Sequence, residues 1–380
     1  MDDFVMGQVT ELQLDRSDWQ LVKFGDVAIQ QKESVDRENT ELTRYVKGEH
    51  MGSEDLHLRE WGELTDEYLG PAFIRKFEQG DILYGSRRTY LRKVAIAHFD
   101  GITSNTTFVI KANEAKLDKR LLPFVMLSEG FAEHSIRNSK GSVNPYINWK
   151  DIADYEFLLP PKHQQAKLAE LLWAMDEVVE NELFLLNILK RSTQNFFENR
   201  VCEAHGEKVF LSEVLIPKNE KSAVPHMRDR YIGLENVESG AFFCTDFSDS
   251  SSAEAQCNCI DEGDLCYSKL RPYLDKAFIA TFDAVSSTEL LVYKTRHVSK
   301  AYVLHIFHSK SFINYISGKG FGTKMPRVNH KIIGEFSIKI IPDESDLLKE
   351  MARFQDLEFK LNVKLRNSKS LQKSLINQIF

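Results

Sequence analysis

The chain has 380 residues, 42% of them hydrophobic and 28% charged, with a formal net charge of −7. That length exceeds one comfortable core and fits two domains with connecting elements. Apolar stretches are broken by charge or His within a few residues, which excludes a span of ~18–20 apolar residues, and the acidic start MDDFVMGQVTELQLD lacks the order of a secretory signal; a cytoplasmic protein without membrane contact is expected.

In chain order, LVKFGDV (21–27) and TRYVKGEHM (43–51) precede three short strands, GDILYG after a Gly-Asp turn, KVAIAHF and TTFVIK. The stretch DKRLLPFVMLSEGFAEHSI then reads as helical with Asp118 as its cap, followed by GSVNPYINWKDIADY (141–155). After FLLPP (157–161), Leu172, Met175, Val179, Leu186, Leu189 and Phe196 follow steps of three and four, a heptad seam interrupted at Glu182 and Thr193.

The chain then starts again. Residues 77–111 and 260–294 align without a gap, and fourteen of the thirty-five positions are identical. The match extends outward to KVFLSEV (208–214), DRYIGLENV (229–237) and GTKMPRVNHKIIGEF (322–336), with offsets drifting from 187 to 181, as small loop differences within one duplicated domain require. The second copy has strands at GDLCYS, KAFIATF and ELLVYK and a helical stretch SKAYVLHIFHSKSFINYI capped by Ser299. It closes on IKIIP (338–342) and a looser seam of Leu347, Met351, Phe354, Leu361, Leu365, Leu375 and Ile379.

The fold class expected is α/β (mixed α+β), with domains at 1–160 and 202–342 and helices at 161–201 and 343–380. A pseudo-two-fold axis would pair the helices antiparallel as a coiled coil and set the domains at opposite ends. At 1.5 Å per residue such a helix runs about 60 Å, longer than the roughly 34 Å of one DNA turn.

With RYVKGEH and RYIGLEN, the repeated Gly-Asp-x-x-Tyr strand, the duplication and LPPKHQQAKLAELLWAMD (159–176) on the page, the sequence resembles the specificity subunit of a Type I restriction-modification system. The second junction, IIPDESDLLKEMARFQD (340–356), departs by lacking the paired prolines and the Gln pair. The resemblance implies two target-recognition domains, each reading half of a split sequence in double-stranded DNA. It further implies two spacer helices that dock two methyltransferase (modification) subunits, with restriction subunits able to join. It implies no catalysis by this chain; S-adenosylmethionine, ATP and Mg would be bound by the partners.

The residues agree that no active site is evident. NPY at 144–146 lacks one Pro of an amino-methyltransferase tetrad, GKGFG (318–322) lacks the context of a P-loop, and His297, His305 and His308 have no third ligand at matching spacing. The cysteines, five in all and none before residue 202, form neither a disulfide framework nor a zinc spacing, so buried thiols are expected. Net acidity does not exclude DNA, because patches decide binding.

The duplication sorts the basic residues. Two heads reading different bases would share residues that serve the fold or the phosphate backbone and differ in those that choose bases. Arg88 with Arg271, Tyr90 with Tyr273 and Lys93 with Lys276 are kept, whereas Ser86 with Lys269, Arg87 with Leu270 and Arg92 with Asp275 differ. Arg87, Arg92 and Lys269 are therefore expected at base edges. A second set, Lys140 and Asn144 in one copy and Lys324 and Arg327 in the other, sits in glycine-flanked loops able to approach DNA. The rival readings are a fused enzyme and a scaffold with degenerate heads.

Overall fold

The computed structural model describes residues 12, 14–36, 39–65, 68–322 and 325–380; Lys324 lies outside them. The chain divides into two compact units, Met1–Leu183 with Val363–Phe380, and Phe184–Asn362.

In the first unit one sheet orders its strands Ala28–Gln31, Thr107–Ala112, Ile82–Gly85 and Val94–Ile96. A second orders Gly62–Glu63, Arg44–Val46, Gly101–Ser104 and Phe73–Phe77. Gln20–Lys23 pairs antiparallel with Glu156–Leu159 and closes the domain. The second unit repeats this plan: Leu215–Lys218, Leu290–Thr295, Leu265–Ser268 and Ala277–Ala280 in one sheet, Cys257–Ile260, Ala284–Ser286, Arg230–Ile232 and Ser248–Asp249 in the other. Glu207–Phe210 pairs with Ser337–Ile340. Strands fall at the sequence offsets, and even the single bridges Ser34 to Arg75 and His57 to Ile96 recur as the short strand pairs at Lys221–Ser222 and Phe243–Cys244.

The repeated Gly-Asp pair has a local cause. Gly80 and Gly263 have φ of 93° and 80°, which favours a residue without a side chain. The following carboxylates, Asp81 and Asp264, turn back to accept the N–H of Glu78 and Asp261, each at 2.9 Å. Tyr84 and Tyr267 then point into the cores against Phe131 and Phe307. Cys244, Cys257, Cys259 and Cys266 are buried free thiols, and Cys202 is exposed.

Two expectations about helices are corrected. The stretch 118–136 is not one helix capped by Asp118 but two, Leu122–Leu127 and Glu129–Arg137. Ser128 breaks them and caps the second by accepting the N–H of Phe131, a role short hydroxyl side chains favour. Asp118 instead accepts the N–H of Arg120, and its own N–H is taken by Gln165. The second unit repeats the break at Ser309, between Lys300–Phe307 and Lys310–Lys319, while Ser299 caps the first helix by accepting from Tyr302.

The long helices are Lys162–Glu203 and Ser345–Ile379. The Gln pair at the first junction ties that helix to its domain. Gln164 accepts the Trp19 indole N–H at 3.0 Å, and buried Gln165 donates to the carbonyls of Pro160 and Lys116. Leu172, Val179, Leu186, Leu347, Met351 and Leu365 are buried, with Met175, Leu189, Phe354 and Leu361 half-buried. Within the first unit Gln372 donates to Asp176 and Lys364 lies 3.4 Å from buried Glu182. Within the second, Phe196 meets Phe354 at 5.3 Å and Lys190 pairs with Glu358. Thr193 satisfies its hydroxyl on the Leu189 carbonyl one turn earlier. No helix among the described residues is long and apolar enough to cross a membrane.

Candidate nucleic-acid interface

In each unit the structure joins the two sets of candidate residues into one surface. In the first, the strand Ile82–Gly85 leaves the sheet at Ser86, whose N–H and hydroxyl both reach the Thr106 carbonyl. A tight turn follows, with a 3₁₀ segment Thr89–Leu91 between two left-handed residues, Arg88 (φ 51°) and Arg92 (φ 48°). Non-glycine residues are uncommon there. The surrounding bonds fix the conformation: the Arg88 N–H donates to the Pro145 carbonyl at 2.6 Å, the Ile147 N–H to Ser86, and Lys140 and Tyr146 exchange both backbone bonds.

The second unit builds the same turn. Arg271 (φ 48°) and Asp275 (φ 50°) flank Pro272–Leu274, and the Arg271 N–H donates to Pro326 at 2.8 Å. Phe321 and Arg327 exchange the backbone pair that Lys140 and Tyr146 make in the first unit.

The kept residues now have distinct roles. Lys93 donates to the Gly48 carbonyl at 2.5 Å and Lys276 to the equivalent Leu234 carbonyl at 2.6 Å, so both lysines brace the turn. Tyr90 and Tyr273 stand out at its tip, 52% and 49% exposed. Arg88 is exposed and donates to Asn144 at 2.8 Å, whereas Arg271 is half-buried and its Nε has no partner.

Of the differing residues, Arg92 is turned inward rather than towards an open face. Its guanidinium lies 2.8 Å from both Glu54 and Glu129 and donates to the Leu127 carbonyl. These bonds draw the Glu129 carboxyl below the usual range, Arg92 contributing most. With its side chain 12% exposed and its Nε buried without a partner, Arg92 presents no donor edge on the open face. Asp275 holds the matching place and accepts from His308 Nδ1 at 2.7 Å. Arg87 is exposed, with no side-chain bond among the described residues. Lys269 is half-buried and lines a cavity beside its turn. Lys140 pairs with Asp151 at 3.2 Å and Arg327 with Glu289 at 3.2 Å.

The three histidines do not share one helix. His297 lies before it with φ 65°, His305 is inside, and His308 is its C-cap. Burial pushes His305 down to about 3, with His308 adding to the effect. No group of three or more His, Cys, Asp or Glu suited to a metal occurs among the described residues. Of the helix seam residues, Leu172 and Met175 pack in the core of the first unit and Leu347, Met351 and Phe354 in that of the second, while Phe184, Leu185, Ile188, Leu357 and Phe359 of the second unit are exposed apolar groups.

Sequence reasoning missed two groups that shape this surface: the carboxylates Glu54 and Glu129 under the first turn, and His308 under the second. Their only signal is the reversal from Arg92 to Asp275.

Comparison with known proteins shows what the chain is similar to. Residues 16–191 match the family model of the Type I restriction modification DNA specificity domain. A curated relative, the Type I restriction enzyme EcoDI specificity subunit of Escherichia coli, is 27% identical over 173 residues, 44% of this chain but only 37% of that protein. Among solved structures, the Type-I restriction-modification system S subunit from M. genitalium superposes with a TM-score of 0.50 at 14% identity, covering 97% of this chain and 98% of that one. A chain solved in work on complex assembly and conformational transition of the type I R-M system gives 0.50 at 16% identity, over 95% and 97%. These structures establish the likeness of fold, and the sequence matches bear out the resemblance to specificity subunits.

Proposed function

We propose that the protein is the DNA sequence-specificity subunit of a Type I restriction-modification complex in the cytoplasm, that each unit reads one half of a bipartite target, and that the chain positions two modification subunits. The observation that carries the reading is the duplicated turn. Its brace and its tip tyrosines are kept in both units, while the residues around them differ, Arg87, Asn144 and Tyr146 in one against Leu270, Met325 and Arg327 in the other. A shared frame with unlike residues around it is what reading two different half-sites requires.

The helices would space the half-sites as an antiparallel pair with pseudo-two-fold symmetry. Contacts of residue 176 with 372 and 190 with 358 support that direction. The exposed Phe184, Leu185, Ile188 and Phe359 are suited to partner subunits, which would themselves bind S-adenosylmethionine, ATP and Mg, and restriction subunits would join the same assembly. The chain is read as non-catalytic.

Coexpression with a candidate modification subunit, followed by mapping of N6-methyladenine in the host genome, tests this. Methylation confined to a split motif with a fixed gap is expected. A stable purified complex with no new methylation would overturn the reading in favour of a scaffold with degenerate heads.

A further inference from the structure

Beside the reading turn of the second unit lies a cavity of about 290 Å³ whose lining includes Lys221, Lys269, His330, Asn258 and Thr288. The Lys221 ammonium donates to the Asn258 side-chain carbonyl, a neutral partner. The Lys269 ammonium makes no ion pair among the described residues, although its backbone is fixed on both sides by Glu289 and Val328. His330 bonds through Nδ1 to the Tyr293 hydroxyl at 3.0 Å. Lys218, also on the lining, is already neutralised by Asp261 at 2.6 Å and Asp264 at 2.8 Å.

No carboxylate is among the lining residues, and neither Lys221 nor Lys269 makes an ion pair among the described residues. The His330 imidazole registers this: burial lowers its pKa first, and Lys269 and Lys221 lower it further. Such a site gains most from an anion, and two ammonium groups beside the Thr288 hydroxyl suit tetrahedral phosphate oxygens, while the Asn258 amide, which donates to the Leu290 carbonyl, holds Lys221 in place.

The first unit has no counterpart. Arg75, equivalent to Asn258 in the strand register, spends its guanidinium on Ser34 and neighbouring carbonyls. Ser86 replaces Lys269 and bonds the Thr106 carbonyl. Trp149 replaces His330 and is packed against Phe24 and Phe108 at 6.1 and 6.0 Å.

We infer that this cavity, held by Lys221, Lys269 and His330, is a phosphate site of the second unit alone, occupied by a backbone phosphate of the DNA whose bases face the adjoining turn. The inference rests on the proposed function and adds to it: the second unit has a seat for a backbone phosphate that the first lacks.

The test compares the full chain with Lys221→Gln/Lys269→Gln, both with modification subunits present, for affinity to duplex DNA over a range of salt. Loss of one phosphate contact lowers the slope of log K against log salt by about 0.9, to the same extent on random and target duplexes. Lys221→Arg/Lys269→Arg, which keeps the charge, is expected to retain the slope, and an unchanged unfolding midpoint confirms that the Gln pair folds. A folded Gln pair with the wild-type slope overturns the proposal. If inorganic phosphate then raises the unfolding temperature of the wild type but not of the Gln pair, the cavity serves a free anion and the assignment to DNA is likewise overturned. Wild-type protein with no salt-dependent affinity for any duplex sinks the proposed function itself; a steep wild-type slope shared by the Gln pair sinks only the cavity.

Discussion

The turns at 86–93 and 269–276 share a backbone and reverse a charge. Each places two left-handed residues around a 3₁₀ segment, takes a proline carbonyl onto its first arginine, and ties its lysine to an equivalent carbonyl. At the last left-handed position Arg92 meets Glu54 and Glu129, whereas Asp275 meets His308. A difference between copies therefore need not mark a base-reading residue. Here both sides of a contact changed together and the brace survived.

The largest effect should come from breaking that exchange. Arg92→Asp places a carboxylate beside Glu54 and Glu129 and leaves the Leu127 carbonyl without its donor. Because the Glu54 and Glu129 side chains are 40% and 45% exposed, solvent screening holds the cost to about 1–2 kcal/mol, which a urea titration of the full chain would show as a lower midpoint. The double variant Arg92→Asp/Leu127→His rebuilds the second unit's version, since Leu127 precedes the capping Ser128 as His308 precedes Ser309. Recovery of about 1 kcal/mol is expected. Arg92→Asp with wild-type stability would refute the brace.

A smaller contrast is one of pH. In the first unit His57 donates through Nε2 to Asp176 at 2.8 Å, and this bond raises its pKa above the ordinary 6.5. Its stabilisation is thus complete below pH 6.5 and is lost as pH rises through the folded value. In the second unit burial holds His305 at about 3, so its contribution is present above pH 6.5 and is lost as pH falls towards 3. Acidification from about pH 7.5 to 5.5 should protect residues 52–59 and expose 300–309 in hydrogen exchange corrected for intrinsic rate. His57→Gln should abolish the first change and His305→Gln the second. Changes of the same sign in both segments would refute the contrast.

Much of the frame was legible in the sequence because it depends on local chemistry repeated twice. The Gly-Asp turns, the strands and the seams each have residue types their geometry demands, so a gapless repeat exposes them. Ser128 and Ser309 are not legible as caps because a capping serine inside an apolar helical run looks like an ordinary polar position. The second junction lacks the paired prolines and the Gln pair, yet Glu344 accepts the Ser299 N–H there as Gln165 accepts that of Asp118. The inward turn of Arg92 has no local signal because its partners, Glu54 and Glu129, are remote in sequence; only tertiary structure brings them to it. The phosphate cavity was invisible for the same reason, since Lys221, Lys269 and His330 come from three separate segments.

The smallest effect on stability and the sharpest on function should come from Arg87. Its exposed guanidinium has no bond to lose, so Arg87→Ala is expected to change stability by less than about 0.5 kcal/mol. If Arg87 reads a guanine edge, the loss is about 1–3 kcal/mol of discrimination at one position, seen as relaxed methylation in one half of the split motif while the other half is unchanged. Leu270, its counterpart, carries no donor, so Leu270→Ala should leave any guanine preference intact. Relaxation of both halves by Arg87→Ala would instead make Arg87 a general phosphate contact. The two turns would then differ in anchoring rather than in reading, and base choice would have to pass to Asn144, Tyr146 and their partners on the second loop.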